Sequence, residues 1–189
     1  LGGADRWNLD LTTQLAARGW DVTIATTLEG DHSWEPAFTR VTPDVFALPR
    51  LVRLIDRPRL LRSLIESRRP DVVLVSNSEL GYRLLPYLRT RCPEPVYVDY
   101  CHMEQEEWKS GGYPRLSMLV RGALDRSGVS SHYLKEWMVA RGAEETAIQV
   151  VPTSIDVGYW RRDPPLRARV RHGWGVREDE PVIVYAARL

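Results

Sequence analysis

Apolar residues recur at two periods along this chain. From Ala4 to Ala16 they sit at helical spacing, with Trp7, Leu11 and Leu15 about one turn apart and Leu9 and Ala16 beside them, the pattern of an amphipathic helix. Asp5 stands near the start of that helix, where the macrodipole favours an acid. Gly19 ends it, as a residue free to take positive φ does. Asp21 to Thr27 then reads as a β-type run built on Val22, Ile24 and Ala25. A polar loop is expected from Leu28 to Arg40, and a short strand region from Val41 to Leu48, interrupted by Pro43 and closed by Pro49. Arg57 to Arg69 predicts a helix with Leu60, Leu61, Leu64 and Ile65 on one face and arginines on the other, ended by Pro70. Val72 to Val75 is an unbroken apolar run, expected of a central parallel strand buried on both faces. Glu79 to Arg91 is helical by the spacing of Leu80, Leu84 and Leu88, and Pro86 is expected to bend or shorten it.

The second half continues the alternation. Val96 to Tyr100 is a strand, and Glu104 to Arg115 a polar, glycine-containing loop. A helix follows from Leu116 to Leu124, then a short strand at 127–131 ending in small hydroxyls. His132 to Gly142 is a helix with Leu134, Trp137 and Met138 inward, and the next strand ends at Pro152. Tyr159 to Pro181 reads as an arginine-rich linker carrying one short helix, and Val182 to Leu189 as the start of a new strand. Strands alternating with helices imply an α/β fold, a Rossmann-like parallel sheet with helices on both faces, joined by right-handed crossovers. The strand that would come before Gly2-Gly3 lies outside the sequence, and the chain opens on Leu1, so a chain cut at its front is expected. The organisation expected is a Rossmann-like domain at 1–157, a linker at 158–181 and the first strand of a truncated second domain at 182–189.

Composition narrows the function. The 189 residues are 43% hydrophobic, enough for a globular core. A net charge of +1 implies no polyelectrolyte partner such as nucleic acid. Lys109 and Lys135 are the only lysines in an otherwise arginine-based set of cations. Cys92 and Cys101 show neither metal-ligand spacing nor a disulfide framework, which fits a reducing compartment. No signal peptide or transmembrane run is visible.

In a parallel α/β sheet, ligands bind outside the carboxyl ends of the strands. Those ends carry Gly2-Gly3, Ser76-Asn77-Ser78, Asp99 to Glu104, Ser130-Ser131-His132 and Thr153 to Asp156. Without a Cβ, Gly2 and Gly3 let the backbone approach a ligand, and the free N–H groups of the first helical turn favour an anion there. The competing reading of the pair is a plain strand-to-helix turn. His102 ends a buried strand, where it is either a polar contact for a ligand hydroxyl or a residue satisfied by backbone groups. Asp99, Glu104, Glu106 and Glu107 lie around it as an acidic patch from which a general base could come, with a solvated loop face as the simpler reading. Ser131 and Asp156 read equally as a helix N-cap and a turn residue. The arginines at 57, 59, 62, 68 and 69 read either as a solvated helix face or as a contact for anionic lipid. Gly111 to Pro114 is expected in a loop able to close over a substrate.

Several of these segments together resemble one family, the retaining glycosyltransferases of the GT-B fold, family four. The stretch LGGADRWNLDLTTQLAARGWDVTIAT resembles that family's glycine-rich first helix and the strand after it. VSSHYLKEWMVARGAEETAIQVVPTSID is similar to its last helix of the N-terminal domain and the signature that follows, and VIVYAARL to the start of its second domain. Three departures stand out. Thr153-Ser154 replaces the family's Asn-Gly, Ala187 replaces the glycine before its arginine, and the second domain, with its lysine and paired glutamates, is absent from the sequence.

The resemblance implies an acceptor-side domain of an enzyme that moves a hexosyl unit from a nucleotide-diphosphate sugar to an acceptor hydroxyl with retention. It implies that Gly2 and Gly3 meet the donor diphosphate or the acceptor, that His102 lies near the reacting sugar as the catalytic candidate, that Ser131 lines the cleft and that Arg188 holds the donor diphosphate. A cation there stabilises the departing nucleoside diphosphate. The resemblance implies no cofactor beyond the donor and no metal. The acceptor would be a glycan or lipid-linked glycan, and the location cytoplasmic, at the inner membrane face where peripheral contact is made. Two other readings compete: a nucleotide-sugar epimerase of the same fold, and a non-catalytic Rossmann-like binding module.

Overall fold

The computed structural model describes residues 2–185. The chain forms two compact units, Leu1–Thr153 and Ser154–Leu189. The first opens with α1 (Gly3–Ala16), β1 (Ile24–Thr26), α2 (Glu35–Thr39), β2 (Val45–Ala47) and α3 (Leu48–Leu51). A 3₁₀ turn at Leu54–Asp56 leads into α4 (Arg57–Arg68), β3 (Val72–Ser76), α5 (Glu79–Arg91), β4 (Val96–Cys101) and α6 (Gly112–Leu119). β5 (Arg126–Val129), α7 (His132–Val139) and β6 (Ile148–Val150) complete it.

Every strand pairing is parallel. β1 pairs with β2, and β3, β4, β5 and β6 form a sheet in that order. The registers set Val72 beside Val96, Ser76 beside Tyr100 and Tyr100 beside Gly128. The two sheets meet at their carboxyl ends, where the hydroxyls of Thr27 and Ser78 lie 2.6 Å apart.

Side-chain alternation along β4 defines two faces. Tyr97, Asp99 and Cys101 turn toward α5, where Tyr82, Leu85 and Leu88 complete a buried cluster with Val75 and Tyr97. Cys101 and Val129 join Leu134, Trp137 and Met138 of α7 in a second cluster. Tyr100 turns the other way and is covered by Trp7 of α1, ring on ring at 3.8 Å. Helices therefore flank both faces. At the foot of the sheet Arg89 grips Asp125 through two hydrogen bonds of 2.8 and 2.9 Å. Asp125 also accepts from the Tyr97 N–H at 2.8 Å, and that backbone bond, followed by Arg89, holds its carboxyl below the usual range.

Several expected elements differ. The polar loop before Val41 contains α2, because Glu35 and Pro36 supply a favourable first turn. Val72 and Leu74 are each 40% exposed; they share the face of Tyr100, where α1 covers only the carboxyl end, so β3 is half-open rather than buried on both faces. α5 runs unbroken through Pro86, and the Thr90 hydroxyl donates back to the Pro86 carbonyl at 2.7 Å. α6 begins at Gly112 rather than Leu116. Gly111 and Gly112 are buried at positive φ of 130° and 66°. A Cβ on Gly111 would lie 2.4 Å from the Trp137 ring, so this stretch is wedged in place and is no free flap.

The second unit carries α8 (Pro164–Gly173), capped by Asp163, whose Oδ1 accepts from the Leu166 N–H at 2.8 Å. Arg171 folds back to donate to the carbonyls of Arg177 and Glu180. Residues 182–185 form no paired strand among the described residues. Ala187 and Arg188 lie outside them.

Candidate functional site

Parallel pairing brings the carboxyl ends of β1, β3, β4 and β5 to one edge. Buried polar atoms without a partner collect there: Thr26 Oγ1, Ser76 Oγ, Asn77 Oδ1 and His102 Nε2. Such atoms are uncommon in folded proteins. Asn77 also holds a left-handed backbone, φ 48°.

α1 points its N-terminus toward this edge. Gly2 is extended, φ −132° and ψ 168°, a conformation open to any residue. A Cβ on Gly3 would meet no atom within 4 Å among the described residues beyond its own helix. The Gly2 N–H donates to Asp5 Oδ2 at 3.1 Å. The next N–H groups of the helix have no intrahelical acceptor.

Trp7 links α1 to the end of β4. Its indole stacks on Tyr100 at 3.8 Å with 14° between planes. His102 stands nearly perpendicular to both, 5.2 Å from Trp7 and 4.7 Å from Tyr100 between centroids. Tyr100 is fixed in turn: its hydroxyl donates to the Val151 carbonyl at 2.7 Å, and its ring lies where a Cβ on Gly128 would come within 2.9 Å. Burial pushes the His102 imidazole below its ordinary value and favours its neutral form, opposed by the charge of Asp5.

The Ser130 hydroxyl donates to the His102 carbonyl. Ser131 Oγ accepts from the Leu134 N–H at 3.1 Å and caps α7. Gly2, Gly3, His102 and Ser131 thus gather on strand and helix ends of the same unit, with Ser131 engaged as a cap, while Arg188 lies outside the described residues. Asp156 Oδ1 accepts from the N–H groups of Gly158 and Tyr159, an Asx turn.

The acidic patch around His102 is not assembled as expected. Asp99 is buried on the opposite face of β4. Glu106 accepts from Trp137 Nε1 at 2.8 Å and pairs with Arg141. No group of three or more His, Cys, Asp or Glu side chains that could hold a metal occurs among the described residues. The arginine face of α4 is also largely engaged: Arg62 pairs with Glu66 and Arg68 with Asp44. Arg57 is buried against the Thr27 carbonyl and Glu29. Sequence reasoning placed Asn77 and Tyr100 among the strand ends and Trp7 at a helical position, but gave none of them a role, because no local spacing tells which sheet residue a helix will cover.

This half-domain, with a parallel sheet between helices and unmatched polar atoms along its carboxyl edge, matches the Rossmann-like half of a GT-B fold. The Glycosyltransferase Family 4 profile matches residues 1–159, and the chain belongs to that family. The crystal structure of Anabaena HepE with UDP is similar at a TM-score of 0.71 and 13% identity, over 92% of this chain and 47% of that one. Its complex with UDP-glucose gives 0.65 and 12%, over 93% and 47%. The apo lipopolysaccharide outer core galactosyltransferase WaaB gives 0.58 and 15%, over 83% and 43%. At these identities the likeness concerns the fold, and the chain spans less than half the length of each. No curated protein matches the chain in sequence.

Proposed function

We propose that the intact protein transfers a hexosyl unit from a nucleotide-diphosphate sugar to an acceptor hydroxyl with retention of configuration, and that residues 1–157 form its acceptor side. The observation that carries this reading is the buried, unpartnered Nε2 of His102 beside the N-terminus of α1. In this reading a hydroxyl of the bound sugar completes that nitrogen. The N–H groups after Gly3 face the donor diphosphate or the acceptor, and Arg188 faces the leaving diphosphate. A preorganised cation at that point is worth about 10²–10³ in rate. UDP and UDP-glucose bound by HepE favour a uridine donor.

Calorimetric titration of the intact protein with UDP, GDP and their sugars, beside Arg188→Ala and His102→Gln, tests the reading. Binding of one nucleotide, weakened in Arg188→Ala, with transfer lost in His102→Gln, supports it. Absence of binding to every nucleotide leaves a non-catalytic module, and interconversion of the free sugar nucleotide without an acceptor makes it an epimerase.

The reading includes peripheral contact with an anionic membrane at the cytoplasmic face, through a surface other than the arginine face of α4. Leu51, Leu54 and Ile55 are 55%, 62% and 75% exposed. Arg50 and Arg53 lie among them, paired with Glu35 and Asp56. Apolar side chains set among cations suit the interface of an anionic bilayer. No helix among the described residues is long and apolar enough to cross a membrane. Cosedimentation with phosphatidylglycerol vesicles, lost in a Leu54→Glu/Ile55→Glu variant, is the expected result; equal pelleting of both proteins removes this surface from the reading.

A further inference from the structure

We propose that Trp7 is a positioning residue for His102, holding the imidazole beside the Trp7–Tyr100 stack so that its orientation is set by packing. The inference rests on the reading of His102 as the residue that meets the sugar.

The three centroid separations, 3.8, 4.7 and 5.2 Å, form a nearly isosceles triangle. The imidazole therefore lies at the flank of the stack, against ring edges, and not above either outer face. Aromatic edges carry partial positive charge. They accept a neutral imidazole and disfavour an imidazolium, in the same sense as burial does. Asp5, on α1, is the charge that acts in the opposite sense. Nε2 has no hydrogen bond to turn the ring, and the Ser130 hydroxyl fixes the His102 backbone rather than its side chain. What remains to set the ring angle is contact with Trp7 and Tyr100.

Tyr100 is locked at both ends, by Val151 and by the absence of a side chain at Gly128. Trp7 stands one helical turn after Gly3 on α1. The two aromatic groups thus differ: Tyr100 is part of the sheet, and Trp7 arrives on the helix whose N-terminus faces the ligand edge. A shift of α1 on ligand binding would be felt at His102 through Trp7.

The test uses the intact protein with isotope-labelled histidine. Trp7→Leu keeps an apolar contact and removes the ring edges, and Trp7→Phe restores one. Expected in Trp7→Leu are a His102 titration midpoint moved up toward that of free histidine and a mixture of ring tautomers. Its kcat should fall by up to about 10²-fold, the cost typical of a misplaced catalytic contact, while KM for the donor stays near wild type. Trp7→Phe should recover most of both. In a His102→Gln background, Trp7→Leu should cost little further activity, whereas a merely structural loss would add to it. An unchanged His102 titration and tautomer in Trp7→Leu overturns the proposal. Altered titration with unchanged kcat supports the positioning and overturns the role of His102 in transfer, so the two failures are distinct. Should Trp7→Leu not fold, Gly128→Ala, which displaces Tyr100 from the other side, is expected to move the same signals; an unmoved His102 signal in that folded variant counts against the proposal.

Discussion

The hydroxyl of Tyr82 on α5 donates to Oδ2 of Asp99 on β4 at 2.8 Å, inside the core. Asp99 is 2% exposed. Its surroundings are the Cys101 thiol at 3.6 Å and the paired hydroxyls of Ser117 and Ser127. Burial raises its carboxyl above the ordinary range against the opposing effect of these hydrogen-bonding groups. Tyr82→Phe removes one donor from a buried acceptor, and the expected loss of stability is about 1–3 kcal/mol. Urea denaturation of both proteins measures it; a loss near zero would mean that the remaining groups satisfy Asp99 by themselves.

The same carboxyl sets a pH dependence. Its pKa is raised in the folded protein, so the folded state binds the proton more tightly than the unfolded one. Its contribution to stability is then complete below the ordinary carboxylate pKa and is lost as pH rises through the folded value. Asp99→Asn, which cannot ionise, should gain stability relative to wild type as pH is raised from 4 to 8. Paired denaturation curves across that range check the sign, and a widening deficit of the variant instead would show an ionised, well-paired aspartate.

Asp44 behaves in the opposite sense. Hydrogen bonds from Arg68, at 2.7 and 2.8 Å, and then from Thr23 hold its carboxyl down to about 2. A lowered pKa gives stability that is present above the ordinary value and lost as pH falls toward about 2. Asp44→Asn should therefore differ from wild type at pH 6 and converge with it in strong acid. The pair is near the surface, so the difference should also shrink in high salt.

Gly3→Ala separates fold from function. Among the described residues a Cβ there meets no atom within 4 Å beyond its own helix, and alanine outranks glycine in a helix by up to about 1 kcal/mol. Thermal melting should show equal or higher stability. On the proposed function, calorimetry on the intact protein should show weaker nucleotide-sugar binding, because the added methyl would stand where the ligand approaches α1. Unchanged affinity would place the ligand away from Gly3.

Gly111→Ala should do the reverse. Its φ of 130° and a 2.4 Å approach to the Trp137 ring leave no room for a methyl group. Backbone strain of this kind costs about 1–3 kcal/mol. A lowered Tm is the expected reading, and a wild-type Tm would show that this stretch can yield.

What the sequence determined by itself was the alternation of helices and strands, the parallel α/β class, and the family, whose matched region spans residues 1–159. Those follow from period and from short local motifs, which need no knowledge of distant contacts. It also located Gly19 and Gly142 as stops, both at positive φ. Tertiary structure alone decided which face each strand residue takes. Asp99 and His102 are three residues apart, yet the alternation of β4 sends Asp99 into the core beneath α5 and leaves His102 at the carboxyl edge, so an acidic patch drawn in one dimension falls apart in three. Tertiary structure also decided that Trp7 would meet Tyr100 and His102, because that contact depends on α1 crossing the sheet at the end of β4, across more than 90 residues of intervening chain. Periodicity marks Trp7 as inward-facing, and only the path of the backbone determines what it faces.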